Sequence, residues 1–145
     1  MAATRAARGL AVVAILALVV ARPTAARADN IDVLIKDAKS GSDYKVRLAA
    51  VLGLAKVGDK RGIPALIGAL GDSDKTVRGA AAVALGKLIT AATPATTRGQ
   101  AKTALEKLLA KESTDSVKKV AQKTLDQLAA LEAATSAVTT GGIYV

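Results

Sequence analysis

The residue types that do chemistry are scarce in this chain. It has no His and no Cys. Thiol nucleophiles, Ser-His-Asp triads, disulfide frameworks and zinc sites of Cys or His cannot be built from it. Its 12 acidic residues are dispersed, and the nearest approach to a catalytic carboxylate pair is Asp72 with Asp74 in the turn Gly71-Asp72-Ser73-Asp74. A helix opening just after that turn needs an acceptor for its free N–H groups, and this demand accounts for the two carboxylates. The expectation is therefore a non-enzymatic protein with no catalytic residue, no metal and no cofactor.

The basic residues suggest a different chemistry. Lys56, Lys87, Lys119 and Lys123 recur along the chain, and the formal net charge is +9. Much of that charge is local. Residues 1–28 hold four Arg and no acid, leaving 17 basic and 12 acidic groups beyond them, a net +5. With no Phe or Trp to stack bases, a nucleic-acid partner is not expected. Solvated helix faces account for the lysines, with weak, salt-labile binding of anionic polymers or a membrane surface as an alternative.

Residues 1–28 read as a secretory signal peptide. Arg5 and Arg8 form a basic start, Leu10 to Ala21 an apolar run, and Ala26-Arg27-Ala28 a small-residue cleavage site before Asp29. Twelve apolar residues fall short of the ~20 that cross a bilayer. The leader's composition points to a bacterial protein, periplasmic or secreted after cleavage near Ala28, with no stable membrane insertion afterwards.

These residues must be positioned by something, and the positioning elements are repeated. Setting Val46 against Val77 aligns Arg47 with Arg78, Ala50 with Ala81, Leu54 with Leu85 and Lys56 with Lys87. A further step of forty reaches Val117, Lys118, Ala121, Leu125 and Leu128. Each copy is preceded by a shorter apolar stretch: Ile31 to Lys39, Ile63 to Leu70, and Gln100 to Lys111. The unit is helix A, a tight turn, then helix B. Asp43 and Asp74 stand where N-caps belong, Pro64 where a first helical residue would, and Thr97 with Gln100 fits a capping box. Val77, Ala80, Ala81, Ala84, Leu85 and Leu88 form the buried stripe of the second helix B. The domain is expected over 29–131, with repeats at about 31–58, 62–90 and 97–131. Residues 132–145 lose the periodicity and read as a flexible tail.

The Asp turn followed by Val-Arg-x-x-Ala-Ala resembles the short HEAT-like repeats also found in phycobilin lyases. The resemblance rests on Asp43, Val46, Arg47, Ala49, Ala50 and Leu54, and again on Asp74, Val77, Arg78, Ala80, Ala81, Leu85 and Gly86. It implies an all-α fold, a right-handed α-α superhelix of three helix pairs. It also implies that Arg47 and Arg78 form a ladder tying each repeat to its neighbour, with Asp43 and Asp74 capping. Lys118 departs from the pattern, as fits a terminal repeat. A further implication is that the B helices line the inner surface.

The face of helix B opposite the buried stripe then carries Leu48, Val51, Leu52 and Lys56 in the first copy, and Val83 and Lys87 in the second. It turns polar in the third. These six residues are the candidate partner-binding set, and another protein is the expected partner. Ile143, Tyr144 and Val145 add a short apolar segment suited to capture by a peptide-binding groove. A chromophore lyase-like or chaperone-like accessory protein is the alternative the resemblance implies.

Overall fold

The computed structural model describes residues 25–141, with side chains from 30 to 139, and the chain divides into two units at Asn30–Ile31. Six α-helices and one short 3-10 turn are described: α1 Ala25–Ser40, α2 Tyr44–Val57, the turn Lys60–Gly62, α3 Ile63–Ala69, α4 Lys75–Leu88, α5 Ala95–Lys111 and α6 Asp115–Gly141. No strand occurs among the described residues. The expected leader lies outside them except for Ala25 to Ala28, which open α1, and Ile143, Tyr144 and Val145 lie wholly outside.

Local chemistry fixes several helix ends. The Asp43 carboxylate accepts the Lys45 N–H at the start of α2, and Asp74 accepts those of Thr76 and Val77 at the start of α4. Gly58 closes α2 in the left-handed conformation, φ 70°, with its N–H on the Leu54 carbonyl. The Thr97–Gln100 capping box does not form. Pro94 already holds the N-cap position of α5, without a side-chain bond, and Thr97 lies inside the helix.

The B helices α2, α4 and α6 stack on one another, α3 and α5 back onto α4 and α6, and α3 and α5 touch only lightly. Because each B helix has a flank toward the preceding repeat and one toward the following repeat, burial depends on place in the array. Val77 and Val117 are buried on the preceding flank, whereas Val46 is 41% exposed because no B helix stacks before it. Val51 and Ala82 are buried on the following flank, and Gln122, their counterpart in the last copy, is exposed. Val51 is the first correction. Assigned to the outer face by its distance from the buried stripe, it is 0% exposed because α4 packs against it.

Close packing explains two glycines. A Cβ on Gly86 would stand 2.7 Å from Gln127 Oε1 and 3.3 Å from Thr124 Oγ1, so α4 and α6 approach where a side chain is missing. Gly53 leaves similar room for Leu34 of α1. At the α4–α6 contact the buried Thr124 hydroxyl donates to the Ala82 carbonyl at 2.9 Å. Thr124→Val keeps the shape and deletes this bond; urea unfolding should show a loss of about 1 kcal/mol.

Helix α6 runs to Gly141, past Leu131, where a tail was expected. The residues lack apolar periodicity but are held by hydroxyl bonds within their own helix and by one ion pair to α5. The Thr135 hydroxyl donates to the carbonyls of Leu131 and Glu132, Thr139 donates to that of Thr135, and Glu132 pairs with Lys102 at 3.7 Å.

Candidate interaction face

At the A–B turns, the arginines do join successive repeats. Arg47 Nε donates to Asp72 Oδ2 at 2.7 Å and Nη2 to Oδ1 at 3.0 Å, while Nη1 holds the Gly41 carbonyl of its own turn. One repeat on, Arg78 Nε donates to Glu112 Oε2 at 2.6 Å and Nη2 to Oε1 at 3.1 Å, with Nη1 on the Asp72 carbonyl. Each guanidinium thus clamps its own turn and the acid of the next, a bidentate geometry that lysine cannot supply. Lys118, at the end of the series, only approaches Asp115 at 4.0 Å.

The acceptors Asp72 and Glu112 were not identified as ladder residues from the sequence. A signal was available. Each stands five residues before the buried Val of its B helix, where the first copy has Gly41. Both are acidified. The Arg47 guanidinium, opposed by partial burial and helped by the Asp74 N–H, holds Asp72 below the usual carboxylate range. The Arg78 guanidinium, with the Thr114 N–H, lowers Glu112 to about 2.

The other face of the B helices carries exposed aliphatic and basic side chains among the described residues. Leu52 is 54% exposed and Val83, its equivalent one repeat on, is 43% exposed. Lys56 and Lys87, one helical turn further along each helix, are also exposed. These four share a surface row that runs across stacked helices. Leu48 is only half-buried and packs against the core, and Val51 is inside it. The third copy continues the row with exposed Lys123 and Gln127. Asp43 and Asp74 serve their helix ends and lie in the turns, away from this row.

Between α3 and α5 lies a separate groove of about 490 Å³, lined by Leu70, Leu108 and the Arg78–Glu112 pair, with Lys107 and Lys111 beside them. Helix α3 has only seven residues against seventeen in α5, and that mismatch leaves the space. Among the described residues, no group of three or more His, Cys, Asp or Glu could hold a metal ion. No helix among them is long and apolar enough to cross a membrane.

No curated protein matches the chain. A family model described as HEAT repeats matches residues 31–126. The matched segment begins at Ile31, the first buried side chain among the described residues, and ends inside the last B helix, so it takes in the first two hairpins, most of the third and both arginine clamps. HEAT repeats generally act as non-enzymatic scaffolds that bind other proteins. By that match and by the stacked hairpins beneath it, the chain belongs to the HEAT-repeat family.

Proposed function

We propose that this is an exported, non-enzymatic interaction module that captures a partner protein across the exposed face of its B helices. The observation that carries the reading is the recurrence of an exposed aliphatic residue and an exposed lysine at equivalent positions, Leu52 with Lys56 and Val83 with Lys87. Both aliphatic side chains are exposed at equivalent positions of successive repeats, and exposed apolar surface repeated along one face suits a contact surface. The neighbouring cations suit a partner segment with apolar anchors and acidic flanks.

The reading is tested with Leu52→Asp. Position 52 faces solvent, so the circular dichroism and unfolding midpoint should stay those of the wild type. Binding to proteins crosslinked in the native extract should fall about tenfold or more, as expected for loss of a central apolar anchor. Recovery of the same partners by both forms would overturn the proposal.

Export is supported by the basic, apolar and small-residue order of residues 1–28. Intact-mass measurement of the chain from an envelope fraction checks this. A start at Asp29 supports periplasmic or secreted placement, and a full-length chain confined to the cytoplasm opposes it.

A further inference from the structure

The groove between α3 and α5 pairs an aliphatic hollow with basic groups that the fold does not use. Among its lining residues Leu70 and Leu108 are buried, and Ile67 and Ala104 are half-buried. Gly68 of α3 also lines it, and a Cβ placed there would meet no atom within 4 Å, so the space is open at that point. The volume of about 490 Å³ is that of small-molecule sites, which are apolar with a few placed polar groups. The seven residues of α3 give the groove a length of about 10 Å. A short aliphatic chain fits along it, whereas a partner helix would engage by only about two turns.

The charged groups of the lining are of two kinds. Arg78 and Glu112 spend their nitrogens and oxygens on each other and on the turns. Lys107 and Lys111 are exposed and make no ion pair among the described residues. They stand four residues apart on α5, so they share one side of the helix and repel each other. Neighbouring acids do not answer them. Glu112 is consumed by Arg78, Asp115 is approached by Lys118 at 4.0 Å, and Glu106 lies outside the lining. Aliphatic walls therefore meet two unanswered cations along the α5 edge.

We propose that this groove binds an unbranched aliphatic carboxylate of medium length, its chain between α3 and α5 and its head group on Lys107 and Lys111. Burial of the chain supplies the affinity, and the two ammonium groups select an anionic head. A neutral chain would leave the lysines unanswered, and a cationic one would be repelled. The site lies on the A helices and shares no residue with the Leu52, Lys56, Val83 and Lys87 row. It goes beyond the partner-capture reading, and either can fail without the other.

The test titrates the full chain with octanoate, nonanoate and decanoate below their micelle concentrations, followed by calorimetry and by amide shifts in NMR. The shifts should gather at Gly68, Gly71 and Leu108. Affinity should rise about twofold to fourfold per added methylene, fourfold being the gain for complete burial. Decyltrimethylammonium should bind about tenfold more weakly than decanoate, or worse. Lys107→Gln with Lys111→Gln, both at exposed positions, should weaken decanoate about fivefold or more. Gly68→Leu fills the hollow without a clash at its Cβ, so it should keep the wild-type unfolding midpoint and lose decanoate binding. Affinity indifferent to chain length or to head-group charge overturns the proposal, as does undiminished binding in either variant. A peptide of leucine anchors and glutamate flanks that shifts the same amides, where decanoate shifts none, would give the groove to a protein and also overturn it.

Discussion

Replacing Glu112 with glutamine is expected to lower the stability of the domain by about 2–3 kcal/mol at neutral pH. Its side chain is 1% exposed and its oxygens accept from Arg78 Nε and Nη2 and from the N–H groups of Ser113 and Thr114. Glutamine offers one acceptor oxygen and no charge. The substitution leaves a partly buried guanidinium without its counter-ion and one turn N–H or guanidinium N–H without an acceptor. Since glutamine imitates the protonated acid, acid should do to the wild type what the mutation does at neutral pH. The folded carboxyl is lowered from 4.5 to about 2. A depressed acid stabilises the fold fully above its unfolded value, and that stabilisation is lost as pH falls through the folded one. Urea titrations should therefore show a constant gap between wild type and Glu112→Gln down to about pH 4.5, narrowing toward pH 2. A gap that is small at neutral pH, or that does not close in acid, would mean that the second clamp does not hold the repeats together.

Val51→Asp should abolish the fold, whereas Leu52→Asp should leave it intact. The two residues are adjacent and both aliphatic, but Val51 is 0% exposed and Leu52 is 54% exposed. An aspartate at 51 would bury a carboxylate in the aliphatic core where α4 stacks on α2. Burying such a group costs several kcal/mol whether it stays charged or takes up a proton. Domains of this size are stable by only about 5–15 kcal/mol in total, and a solenoid cannot lose its first interface without exposing the next. Far-ultraviolet circular dichroism and amide dispersion in NMR should show Val51→Asp unfolded at room temperature. A cooperative transition within about 1 kcal/mol of wild type would place Val51 on the surface instead.

The difference between residues 51 and 52 also marks how far local pattern reaches. Repeat spacing reveals that Val51 and Ala82 are equivalent, and helical periodicity puts both away from the central stripe. Neither reveals that a B helix in a stack is covered on two flanks. Only the position of the next helix decides that Val51 and Ala82 are buried while Gln122 is not. The same reasoning in reverse explains Val46, whose sequence equivalents Val77 and Val117 are core. Its surroundings differ because it belongs to the first copy.

The amino-acid sequence by itself determined the helical class, the order of the helices and their pairing into repeats, though not where α5 and α6 begin or end. Those features follow from short-range physics: Asp43 and Asp74 offer carboxylates to N–H groups two or three residues away, Gly58 takes up a left-handed φ, and aliphatic residues recur at helical spacing. The absence of His and Cys likewise excluded whole classes of chemistry without reference to shape. Tertiary structure alone decided which acid each arginine meets, because Arg47 and Asp72 are 25 residues apart, and Arg78 and Glu112 are 34 apart. It also decided which side chains of helix B stay exposed, and that Arg98 is buried with its Nε unpartnered among the described residues. Burial and charge pairing depend on neighbours that arrive through folding, and residues near one another in sequence carry no record of them.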